Sequence, residues 1–119
     1  MKNKGEALRV QERQLAADKF FPSTQQAMNV LGRERGWGHY DRASFDAARS
    51  FEGALYVGDP ETVAQKIIHL RKQVGVTRFM LHVPVGTMPH ADVMRAIELL
   101  GTEVAPRVRE EIANWEATK

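Results

Sequence analysis

Gly-Ala-Leu-Tyr-Val-Gly-Asp-Pro-Glu-Thr-Val-Ala, Gly53 to Ala64, decides how this chain is read, together with Arg-Phe-Met-Leu-His-Val-Pro-Val-Gly, Arg78 to Gly86. Ala54 to Val57 is a short apolar run that reads as a strand. Asp59-Pro60-Glu61 then supplies an N-cap, a proline at the first helical position and an acid in the first turn, where the helix dipole favours negative charge. Val63, Ile67, Ile68, Leu70 and Val74 recur at helical spacing, and Gly75 ends the helix. Arg78 to Val83 reads as a second strand, with Phe79, Leu81 and Val83 on one face and Met80 and His82 on the other. Both faces are mostly apolar, as in a buried parallel strand. Pro89 opens another helix carrying Val93, Met94, Ile97 and Leu100. The stretch is thus a strand–helix–strand–helix unit. A parallel pair of this kind needs further strands beside it and helices over its faces.

Upstream of this unit the chain reads as helical. Residues 6 to 19 are rich in helix formers, with a sparse apolar set of Leu8, Leu15 and Phe20. Pro22 is expected to interrupt this helix. Ser23 and Gln26 make a capping box for a second one with Ala27, Met28, Val30 and Leu31 on its apolar side, and Gly32 and Gly36 are its stops. Gly36 to Ser50 is polar and irregular, anchored by Trp37, Tyr40 and Phe45, with a short helix from Asp41 or Arg42 to Arg49. Downstream, Gly101 and Pro106 punctuate the helix that Pro89 opens, and Thr102 is a new cap that would place Pro106 near a first turn, where it is tolerated. Val108, Ile112 and Trp115 give the tail an amphipathic stripe. No repeat and no linker divides the chain. The reading is a single domain over residues 1–119, with a mainly helical lead-in over 1–50 and the βαβα unit over 53–117.

Composition narrows the function classes. The 119 residues carry 17 basic and 15 acidic side chains, a net charge of +2, with 43% hydrophobic and 27% charged residues, ordinary values for a globular protein. The basic charges are interspersed; the richest stretch, Arg33-Glu34-Arg35, holds its own counter-charge, so a nucleic-acid partner is not expected. The absence of cysteine excludes disulfides and thiolate metal sites and favours a cytoplasmic protein. No apolar region follows Met-Lys-Asn-Lys-Gly-Glu as in a signal peptide, and no apolar run approaches membrane-spanning length.

In order and spacing these segments are similar to the C-terminal part of the bacterial-luciferase-like flavin-dependent monooxygenases. Gly53 to Ala64 resembles the family's G-x-x-x-G-[ST/D]-P-x-x-V-A segment. Gly75-x-x-Arg78-Phe79 resembles the stretch that follows it. So do Val85-Gly86-Thr87-Met88-Pro89-His90 and the run from Ala96 to Pro106. Asn29 to Trp37 resembles a segment found ahead of the seventh strand in one subgroup. The resemblance covers roughly residues 16 to 111. It implies an α/β fold, part of a (β/α)₈ TIM-type barrel, in which the two strands are the seventh and eighth and strands one to six lie outside this chain. It implies reduced flavin mononucleotide (FMN), or a deazaflavin, as cofactor and oxidation with molecular oxygen as the reaction. With most of the ring-contacting loops elsewhere, the chain alone is expected to be inactive or weak. The alternative expectation is a non-catalytic module that self-associates as a homo-oligomer through exposed sheet edges.

Three residues are candidates for cofactor contact. Gly86 and Thr87, in the loop after the second strand, offer an amide and a hydroxyl to a flavin phosphate, against the simpler reading that Thr87 caps a helix. His82 would point into the lumen of an intact barrel, against the reading that it fills the core. Gly58-Asp59-Pro60 offers a nest of N–H groups at a helix start, against the reading that Asp59 only caps the helix, where its charge repels a phosphate. No catalytic residue is assigned. His39, His69 and His90 have no metal-ligand spacing, and no nucleophile triad or phosphate loop is present. Trp37 reads as an anchor rather than a stacking platform.

Overall fold

The computed structural model describes residues 4–83 and 88–119. Its elements are α1 (Lys4–Arg35), α2 (Arg42–Ala48), α3 (Pro60–Val74), α4 (His90–Leu99), a π turn (Leu100–Val104) and α5 (Ala105–Ala117). Among the described residues there is no strand. The expected α/β fold, a partial (β/α)₈ TIM-type barrel with a βαβα unit, is therefore corrected: the chain is helical.

The two stretches expected to pair as strands show why. The Leu55 N–H donates to the Ala48 carbonyl at 3.0 Å, turning this backbone toward the end of α2. The Leu55 carbonyl accepts from Lys66 Nζ on α3. Residues 54–57 and 78–83 meet instead through side chains, with the Tyr56 and Phe79 rings tilted and 4.9 Å apart. Both rings lie on a small core of Val63, Ala64, Ile67 and Val104. The apolar residues that suggested a buried sheet thus lie partly over one face of α3.

Helix α3 forms as its local signals dictate. Asp59 is its N-cap, Pro60 opens it, and Gly75 closes it in the left-handed conformation at φ 80°, with its N–H on the Arg71 carbonyl at 2.8 Å. It packs against α5 and the π turn. Helix α2 starts at Arg42, one of the two expected starts, and Asp41 caps it. The breaks expected at Pro22 and Gly101 do not occur. Helix α1 runs through Pro22, although an interior proline costs about 3 kcal/mol. The buried Ala17, Ser23 and Thr24 hold both sides of the proline on one face, and Ser23 Oγ donates to the Phe20 carbonyl rather than opening a new helix. At Gly101 the chain widens into the π turn and continues. Thr102 Oγ1 donates to the Glu98 carbonyl at 2.8 Å, and Pro106 falls at the start of α5, where a proline is tolerated.

The chain is open rather than compact. Its radius of gyration is 15.7 Å, against about 13.5 Å for a compact chain of this length. It exposes 8184 Å², whereas a folded monomer of this mass exposes about 6,500 Å². Met80 is 84% exposed and Val74 69%. No helix among the described residues is long and apolar enough to cross a membrane.

Candidate functional site

The start of α3 gathers the charged groups with the most elaborate surroundings. Asp59 is buried and accepts from the Thr62 N–H at 3.3 Å and from the Thr62 hydroxyl. Arg13, reaching across from α1, brings its Nε to 3.4 Å of the same carboxylate. A cleft of about 410 Å³ opens beside it, and Arg9, Arg13, Arg49, Asp46, Glu61 and Thr62 are among the residues along its walls. The cations there are largely answered by acids. Arg49 and Arg42 both hold Asp46, at 2.7 Å and 3.0 Å. Hydrogen bonding from Arg49, and then from Arg42, keeps the Asp46 carboxyl below its usual range. Glu61 meets Arg107 at 3.2 Å. The cleft therefore has little net charge with which to hold an anion.

Asp59 is the helix cap that the local sequence indicates, and its carboxylate is committed to that role. Asp59→Ala is expected to cost about 1–2 kcal/mol, the usual loss of a cap. Asp59→Asn, which keeps the cap and loses the ion pair with Arg13, should cost less, because the Arg13 side chain is 42% exposed and water can take over part of its charge. Urea unfolding followed by circular dichroism checks the order; an Asn variant as weak as Ala would show that the charge, not the cap, matters.

One residue that sequence reasoning passed over stands behind this site. Lys66 is only 2% exposed. Its Nζ donates to the Ser50 carbonyl at 2.8 Å and to the Leu55 carbonyl, and lies 4.7 Å from the centre of the Tyr56 ring. Burial lowers its pKa from the ordinary lysine value. A signal was present: Lys66 sits three residues after Val63, on the apolar face of α3. Two of its three N–H groups are held by backbone carbonyls and the side chain is closed to solvent, so it serves as a clasp between α3 and the segment 50–55 rather than as a nucleophile.

Of the candidates for cofactor contact, only His82 is among the described residues. His82 is exposed, in a described stretch, residues 78–83, that forms neither helix nor strand, and it fills no lumen. Gly86 and Thr87 lie outside the described residues. Among the described residues nothing joins a phosphate cradle to a surface for a flavin ring, so no chemical step through FMN or a deazaflavin is derived for this chain. No protein-family model matches the chain, and no curated protein matches it.

Proposed function

We propose that the chain works as a partner-completed part of a luciferase-like flavin-dependent monooxygenase, either its C-terminal portion or a truncated homologue, and that alone it is inactive or weak. The order and spacing of the segments from Asn29 to Pro106 support the family. The observation that carries the dependence on a partner is the surface: the chain exposes 8184 Å², about 1,700 Å² beyond a folded monomer of its mass. That excess is about twice what one partner buries in a standard protein interface. Leu8, Leu15, Val74, Met80, Met94 and Ile97 are large apolar side chains exposed on it.

Complementation tests this reading. The purified chain should consume no oxygen with reduced FMN beyond the free-flavin background. Adding the N-terminal portion of a luciferase-like monooxygenase, cut ahead of the region similar to residues 16 to 111, should restore flavin binding and turnover. Turnover by the chain alone, or no gain on mixing, overturns it.

The same apolar surface favours a second reading, a non-catalytic module that self-associates. With no sheet edge among the described residues, association would run through the exposed apolar side chains. Light scattering over a wide range of concentration decides it, and a monomer throughout would exclude it.

A further inference from the structure

Trp37 is not the core anchor its sequence suggests. It is 51% exposed and borders a concavity of about 430 Å³ at the C-terminal end of α1, lined by Asn29, Arg33, Trp37, Gly38 and His39. The rim is held in place rather than loose. Gly36 takes φ 72°, which an L side chain adopts only with strain, and so reverses the chain. The Trp37 N–H then donates to the Gly32 carbonyl at 2.9 Å. Asn29 Oδ1 accepts the Tyr40 N–H at 2.8 Å, and Gln25 Nε2 donates to the Tyr40 carbonyl at 3.2 Å.

The chemistry of the lining is one-sided. No carboxylate lines the concavity. Arg33 pairs with no acid among the described residues, and its Nε donates only to the Asn29 carbonyl, at 3.4 Å. The Arg35 guanidinium lies 5.4 Å from the Trp37 ring centre. Beside His39 in the chain, Asp41 accepts from the Ser44 N–H and hydroxyl through Oδ1, at 2.9 Å and 3.0 Å. With Asn29 Oδ1 occupied as an acceptor, its amide NH₂ remains as a donor.

We propose that this concavity binds a planar aromatic carboxylate. The indole supplies a flat apolar surface for a ring. The planar guanidinium fork of Arg33 matches the two oxygens of a carboxylate, and the Asn29 amide and His39 imidazole add further hydrogen-bonding groups. The site is independent of the partner-completed reading above, since every residue in it belongs to this chain.

Calorimetric titration of the full chain tests it with naphthoate as probe. Naphthalenemethanol, which keeps the rings without the charge, and cyclohexanecarboxylate, which keeps the charge without the flat ring, are the controls. Naphthoate should bind saturably and more tightly than both. Trp37→Ala should weaken it about fivefold to tenfold, Arg33→Gln about tenfold or more, and Trp37→Phe only slightly. Both sites are exposed, and an unchanged helical circular dichroism spectrum shows that the variants fold. Equal binding of naphthoate and either control, or wild-type affinity in Trp37→Ala or Arg33→Gln, overturns the assignment.

Discussion

Replacing Phe45 with alanine is expected to destabilise the chain by about 3–5 kcal/mol, the usual cost of emptying an aromatic site in a core. Phe45 is fully buried. Its ring meets the edge of Phe21 on α1, with centroids 5.3 Å apart, and the Arg42 guanidinium lies 5.6 Å from its centre. Helix α2 has only seven residues, far fewer than a helix needs to persist alone, so it depends on this packing. The surrounding ion pairs cannot substitute. Arg42 reaches Asp18 at 3.1 Å as well as Asp46, yet these groups are partly exposed, and such pairs contribute little. In so thinly packed a chain the loss should melt α2 and free residues 36–40 from α1. Phe45→Leu, which keeps most of the volume, should cost less than about 1.5 kcal/mol. Urea titration gives the free energies, and hydrogen exchange over 42–48 reports α2 directly. A loss below about 1 kcal/mol for the Ala variant would show that α2 is held by its charges instead.

What was legible in the sequence was what is fixed locally. The cap of α3 and the left-handed Gly75 depend on residues within a turn of one another, so Asp59, Pro60 and Gly75 give them away. Strand pairing depends on what lies far away in the chain. Leu55, Tyr56 and Val57, or Phe79, Met80 and Leu81, are apolar enough for a buried strand, but a run that short is equally suited to lie over a helix. Here the Leu55 backbone is claimed by Ala48 and Lys66, which leaves no ladder. Pro22 and Gly101 misled in the opposite direction. Each is a strong local breaker, and each is accommodated: Pro22 by packing on both sides of it and Gly101 by the wider π turn, whereas Pro106 falls in a first turn, as its spacing from Thr102 suggested.

The sites followed the same division. Asp59 as a cap was readable. The exposure of Trp37 was not, because it depends on Gly36 reversing the chain and on Asn29 holding Tyr40. Lys66 was half readable: its place on the apolar stripe of α3 is a matter of spacing, whereas the two carbonyls that receive it come from residues 11 and 16 positions earlier in the chain.

Those two carbonyls make Lys66→Met the sharpest test of the fold. A methionine fills most of the same space but donates nothing, so the Ser50 and Leu55 carbonyls lose their buried donor. Each orphaned acceptor costs about 1–3 kcal/mol, while removing a desolvated charge returns part of it, so a net loss of about 2–4 kcal/mol is expected at neutral pH. The pH dependence identifies the cause. Burial lowers the Lys66 pKa in the folded chain, so the unfolded chain holds the proton more tightly. The cost of keeping the ammonium buried is fully present below the folded pKa. It is relieved as pH rises from there to the ordinary lysine value, where the neutral amine still has two hydrogens for the two carbonyls. The stability of the wild-type chain relative to Lys66→Met should therefore be flat at neutral pH and increase through that alkaline window. Paired urea titrations from neutral to alkaline pH measure this difference, in which titrations common to both chains cancel. A difference that stays constant, or shrinks, would mean that Lys66 is solvated in the folded chain and does not clasp residues 50–55 to α3.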